Sequence, residues 1–326
     1  FLKTEEEEER TGIFAFPRGR GAGTCLHDIF EHLDFTCKNS DVIQSLLNEK
    51  LVNHGFDEKW TDTVREMVIK VLSVPLGRKS EPRFSLSMIP KKERIDEMEF
   101  HFPLSRLTPD RLRAIFSSYP NVGSSDLNLS GLNLSDFHVS DSEFSDFHFN
   151  GSDLPGSNLP GSDLPGSNLP GSNFFGSDFQ NNSPVDSGFP EMIGNLKFAP
   201  SKGYMKGYID LLFRFNGRYY IIDWKSNDLG ADIEDYHWKN LLSVMKSDYY
   251  ILQYHIYTLA VHQYLSLRIP DYDYNRHFGG IFYVFLRGVD PDKGMDYGIF
   301  KDRPPKDFVI HLKNSLIHES SEWHSF

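Results

Sequence analysis

The chain has 326 residues, 39% hydrophobic and 14% aromatic, enough for one large domain or two small ones around a sizeable core. Its formal net charge of −12 argues against a nucleic-acid surface only until the charge is mapped: residues 122 to 188 hold nine acids and no Lys or Arg, leaving 37 acids against 34 bases elsewhere. No apolar run reaches the roughly 18 residues of a membrane span. The opening FLKTEEEEERTG lacks the basic and apolar parts of a signal peptide. Two cysteines, Cys25 and Cys37, with no CxxC or Cys/His spacing, speak against a structural zinc site and fit a reducing cytoplasm. The chain does not begin with Met, which fits a C-terminal piece of a longer polypeptide, or a processed or truncated one.

In chain order, residues 1 to 23 read as a linker: a glutamate run, then FPRGRGAG. A main domain is expected to begin at 24 and run to 121. Thr24 can cap a helix to about Phe35, with Leu26, Ile29, Phe30 and Leu33 as its apolar stripe. A second helix is expected over 57–74. DEMEFHFPL (96–104) alternates like a strand, and 108–119 reads as a short helix with Pro109 in its first turn. Residues 122–188 are low in complexity, with units such as SDLPG and SNLPG, and they resemble pentapeptide repeats. An ordered four-sided β-helix and a flexible insert both fit Pro-Gly repeats of this length. The domain resumes over 189–326. It contains a hairpin at 207–225, a long helix at 248–268 and a central apolar strand at 279–289. Together these make an α/β domain with a mixed sheet.

The hairpin carries the chemistry. Asn216-Gly217 is the strongest short signal for a two-residue type I′ turn, and such a turn fixes the register. Phe215 then faces Arg218, Phe213 faces Tyr220, and Asp210 falls opposite Asp223. Like charges directly opposite each other destabilise a strand pair. A divalent cation between them removes that cost. Lys225 shares the face of Asp223 by the period of two. A lone D-x-K is usually a surface ion pair, but the opposed second acid inside an apolar frame argues for a site. Hard carboxylate oxygens with open water positions suit Mg²⁺, and the whole set suits phosphodiester hydrolysis.

GYIDLLF and YYIIDWKSN together resemble the D…D-x-K core of the PD-(D/E)xK nucleases. More narrowly, KGYIDLLFRFNGRYYIIDWKSNDLG followed by LQYHIYTLAVHQYL is similar to the C-terminal nuclease domain of the RecB family, the helicase-nuclease subunit of exodeoxyribonuclease V. FPRGRGAGTCLHDIFEHLDF, EMEFHFPL and DYDYNRHFGGIFYVFLRGVD extend the resemblance to about residues 15–120 and 189–310; the repeat insert departs from it. The resemblance implies a restriction-endonuclease-like α/β core, a mixed central sheet flanked by helices, and Mg²⁺-dependent cleavage of unwound DNA in double-strand break repair. It implies Asp210, Asp223, the main-chain carbonyl of Trp224 and His27 as metal ligands, and Lys225 as the catalytic lysine. It also implies Glu97 as the strand glutamate, with Glu99 as second choice by strand period. Gln253 and Tyr257, at i and i+4 on one helix face, match a Q-x-x-x-Y motif that helps arrange DNA and the lysine. The implied partners are DNA, RecC, RecD and RecA. A non-catalytic nuclease-fold module for assembly or RecA loading is the alternative.

Arg18, Arg20, Lys202 and Lys206 could touch a DNA backbone, although solvated charge explains each as well. LGRKS (76–80) lacks the spacing of a phosphate loop, so no ATPase motor is read in these residues.

Overall fold

Asn216 and Gly217 both occupy left-handed backbone, with φ of 47° and 75°, as a type I′ turn requires. The hairpin they close joins β3 (Ser201–Phe215) to β4 (Arg218–Lys225). Its register runs from Phe215 opposite Arg218, through Phe213 opposite Tyr220, to Leu211 opposite Ile222. The computed structural model describes residues 10–77, 83–119, 148–150, 184–186, 188–198 and 201–317, without the side chains of 148–150 and 202. The choice between an ordered β-helix and a flexible insert therefore lies outside the described residues.

The hairpin belongs to a mixed α/β sheet flanked by helices. The other strands are β1 (Arg94–Leu107), β2 (His148–Asn150), β5 (Phe278–Phe285) and β6 (Ile299–Asp302). Their order is β1-β3-β4-β5-β6, with β2 pairing antiparallel to β3. β4 is buried without interruption from Tyr220 to Lys225, and β5 from Gly280 to Phe285. Continuous burial means that both faces of a strand are covered, and both strands lie inside the sheet, each with a neighbour on either side. The residues fall into two compact units, and β1 and β3 each contribute to both: one holds Phe1–Met98, Ile209–Lys246 and Gly279–Arg303, the other Glu99–Tyr208, Ser247–Phe278 and Pro304–Phe326.

In the first unit, α1 (Arg20–His32), α2 (Ser40–Asn53) and α3 (Thr61–Ser73) pack Leu26, Ile29, Phe30, Leu47 and Val68 into one core with Leu211, Phe213, Ile222 and Trp224. α1 begins four residues before the expected Thr24. Glycine in a helix costs about 1 kcal/mol against alanine, so GRGAG reads as a linker. The helix continues through it because Gly23 faces Ser226: a Cβ there would lie 2.8 Å from the Ser226 hydroxyl. α2 has no counterpart among the sequence expectations. Val42 and Val52 are exposed on its outer side, which blurs its apolar period, and its clearest mark is the Asn39 side chain accepting the amides of Asp41 and Val42. The segment expected as one helix over 57–74 is a short 3-10 turn followed by α3.

The second unit contains α4 (Pro109–Ser117), α5 (Phe189–Gly194), α7 (Tyr250–Arg268), α8 (Tyr274–His277) and α9 (Lys306–Leu316), while α6 (Trp238–Ser247) ends at its border. Thr108 caps α4 through the amide of Arg111, with Pro109 in the first turn as expected. α7 is buried on every side along its first three turns. His255 lies within it, enclosed by Phe116, Tyr119 and Phe308. No helix among the described residues is long and apolar enough to cross a membrane.

Candidate metal centre

α1 turns Leu26, Ile29 and Phe30 into the core and leaves His27 partly exposed. The Nδ1 atom of His27 lies 3.5 Å from Oδ2 of Asp210 on β3. That same oxygen accepts the main-chain N–H of Trp224 at 2.7 Å. This bond locks the carboxylate against β4, one residue beyond the last pair of the ladder, Leu211 opposite Ile222. The Trp224 indole is spent on packing, stacked on Phe30 at 4.4 Å and edge-on to Phe35. Only its backbone faces chemistry.

Glu97 reaches the same place by a different route. In β1 it has φ of 49°, a left-handed conformation that costs a non-glycine residue of the order of 1–2 kcal/mol. On one side, Asp96 is tied to Lys91 at 2.8 Å and Arg94 at 3.3 Å. Arg94 is itself pinned, donating to the Leu33 carbonyl and lying 3.7 Å over the Phe35 ring. The outcome is that His27, Glu97 and Asp210 each place a ligand atom within 4.8 Å of the other two. Glu99, placed on the same face by simple alternation, instead accepts from Lys206 at 3.0 Å and from the Tyr208 hydroxyl at 3.0 Å in the second unit.

Asp223 and Lys225 are both buried, and their charged atoms are 2.8 Å apart. The Lys225 ammonium also lies 5.1 Å above the Tyr283 ring. Burial lifts the Asp223 carboxyl to about 7, Lys225 resists the rise and Asp210 adds to it. Burial would lift Asp210 too, but His27, the Trp224 N–H and Lys225 more than reverse this, and its carboxyl sits below the usual range. Burial alone would depress His27; Asp210 beside it, with Asp223 behind, raises it to about 9. Glu97 is exposed overall, yet desolvation of its carboxyl, then Asp210, lift it to about 7 against the pull of His27. The acids thus demand positive charge, which here comes from the imidazolium and the ammonium. One nitrogen and several carboxylate oxygens, partly open to solvent, fit a hard divalent cation.

A second cluster on α1, Asp28, Glu31 and His32, also has ligand atoms close together. Asp28 is already engaged by Lys50 at 2.7 Å and His54 at 2.9 Å, a tie between α1 and α2. Gln253 and Tyr257 are in the second unit, buried on α7 and hydrogen-bonded to each other at 3.0 Å. Of the basic residues named as possible backbone contacts, Arg18 pairs with Asp228 at 2.8 Å and Lys206 with Glu99, while Arg20 is exposed. The Lys202 side chain is outside the described residues.

Comparison with known proteins adds two findings. The family of pentapeptide repeats matches residues 142–181, in eight copies. The chain is also similar to curated proteins described as RecBCD enzyme subunit RecB. The protein of Escherichia coli K12 is 34% identical over 299 residues, which are 91% of this chain and 19% of that protein. The protein of Haemophilus influenzae is 28% identical over 94% of this chain and 19% of its own length. The protein of Borreliella burgdorferi is 41% identical over 102 residues, 31% of this chain. The chain spans about a fifth of the length of the first two relatives.

Proposed function

The chain is a RecB-like region, and on that premise we propose that it is a Mg²⁺-dependent nuclease module of exodeoxyribonuclease V type, hydrolysing phosphodiester bonds of unwound DNA. The observation that carries this is the convergence of His27, Glu97 and Asp210 within 4.8 Å, with the Asp223–Lys225 pair on the adjoining strand. His27, Asp210, Asp223 and the Trp224 carbonyl would hold the cation, and Glu97 would complete the set directly or through water. When bound, the cation would neutralise the scissile phosphate and lower the pKa of a water molecule. Lys225, fixed by Asp223 and the Tyr283 ring, would hold its ammonium toward a phosphate oxygen and stabilise charge as it develops. By the resemblance, Gln253 and Tyr257 help to orient DNA.

Further proposals rest on the relatives. The module belongs at the C-terminal end of a longer helicase-nuclease working with RecC and RecD in the cytoplasm, in break repair and recombination, with RecA as a further partner. The domain limits 24–121 and 189–326, with 122–188 as an insertion, are part of this reading.

The test is cleavage of linear single-stranded DNA with Mg²⁺ by the wild type and by Asp223→Ala. Cleavage abolished by the substitution supports the assignment; cleavage unchanged by it removes Asp223 from the site. A wild type that binds metal and DNA without cutting would favour a non-catalytic module for assembly or RecA loading.

A further inference from the structure

Arg287 lies just past β5 and only 2% of it is exposed. Its hydrogen bonds all go to main-chain carbonyls. Nη1 donates to Ile13 at 2.7 Å and to Phe16 at 3.0 Å, Nη2 to Pro17 at 2.7 Å, and Nε to Ser226 at 3.3 Å. Ser226 directly follows Lys225. Pro17 lies two residues before Gly19, which caps the helix carrying His27. One guanidinium therefore joins the end of the strand that bears Asp223 and Lys225 to the backbone that leads into α1.

Other contacts cross the same seam. Arg10 and Arg18 both hold Asp228, at 2.7 and 2.8 Å. Arg10 also reaches the Gly230 carbonyl at 3.3 Å. Gly23 approaches Ser226 as closely as a missing Cβ allows. Those contacts are peripheral, whereas Arg287 is central and desolvated. A buried charge is costly unless its donors are all used, and an apolar side chain could fill the same volume without that cost. What an apolar residue cannot do is fix two stretches of backbone to each other. Lysine cannot do so either, because its three donors radiate from a single point rather than a planar fork.

We propose that Arg287 is a positioning residue for the metal centre, setting the separation between α1, with His27, and β4, with Asp223 and Lys225. The inference rests on the metal-centre reading, but its main readout does not require DNA cleavage. Arg287→Lys and Arg287→Met are titrated with Mn²⁺, followed by the electron paramagnetic resonance of the free ion, alongside thermal melting and cleavage of single-stranded DNA. Val68→Ala, in the core on α3, is the control for lost stability alone. Both Arg287 variants are expected to bind Mn²⁺ about 10- to 100-fold more weakly, the size seen when a group orienting metal ligands is removed, and Val68→Ala to keep the wild-type affinity. Wild-type Mn²⁺ affinity in a folded Arg287→Met protein overturns the proposal. So does failure of both variants to fold, which makes Arg287 a folding residue only. A wild type that binds Mn²⁺ at the centre and cuts no DNA leaves Arg287 in its role while the nuclease reading falls.

Discussion

The β3–β4 hairpin and strand β1 both bring carboxylates to one place, and they do so by opposite means. The hairpin uses regularity: a two-residue turn sets the register, and the ladder runs to Leu211 opposite Ile222, each next in sequence to one of the aspartates Asp210 and Asp223. β1 uses a break, since Glu97 takes φ of 49° while its neighbour Asp96 is held by Lys91 and Arg94. Regular structure places a group at the cost of a turn. Irregular structure stores strain, which the surrounding contacts must hold. The first device should therefore tolerate little chemical change, and the second should yield stability when relaxed.

The largest effect is expected in the hairpin. Asp210→Asn should lower cleavage by about 10³-fold, because it removes charge from the oxygen shared by His27 and the Trp224 amide. Steady-state rates at saturating Mg²⁺ would show it, and retention of a tenth of the activity would make Asp210 dispensable. Next comes β1. Glu97→Gln and Glu97→Gly should each weaken divalent-ion binding about 10- to 100-fold. The two should part in stability, because glycine takes φ of 49° without strain: Glu97→Gly should be about 1 kcal/mol more stable than Glu97→Gln in urea unfolding. Equal stability would mean that the left-handed residue is not strained.

His255 on α7 provides a comparison away from both regions. Its surroundings are Phe116, Tyr119, Tyr254 and Phe308, and burial pushes its pKa down to about 3. A base depressed in the folded state stabilises fully above the unfolded value near 6.5, and loses that contribution as pH falls toward 3. Between pH 8 and pH 5, wild type should lose roughly 2 kcal/mol more than His255→Leu. Parallel denaturation curves at the two pH values would contradict this. The smallest effect is expected at the turn, where Gly217→Ala should cost about 1 kcal/mol for φ of 75° and leave metal affinity unchanged.

The same contrast explains what could be read in advance. Asn216-Gly217, the opposed aspartates and Lys225 follow from period and turn chemistry, and the register from Phe215 to Leu211 agrees with the count. Glu97 came from resemblance alone, and period two placed Glu99 beside it. The structure separates the two glutamates, because no local signal marks a glutamate for left-handed backbone. The first turn of α1 was hidden for a related reason: its glycines look like breakers until Ser226 is known to lie against Gly23. Arg287 leaves a trace of its own in the sequence. It ends the apolar run GIFYVFL, and a charge inside an apolar frame was the same clue that singled out Asp223.

On the reading proposed above, the regular hairpin and the irregular strand meet around one cation. Anomalous diffraction from crystals soaked in Mn²⁺ tests it most directly. A peak is expected within coordinating distance of His27, Asp210 and Asp223, with Glu97 bound directly or through one water. A peak at Asp28, Glu31 and His32 instead, with His27 still paired to Asp210, would contradict it.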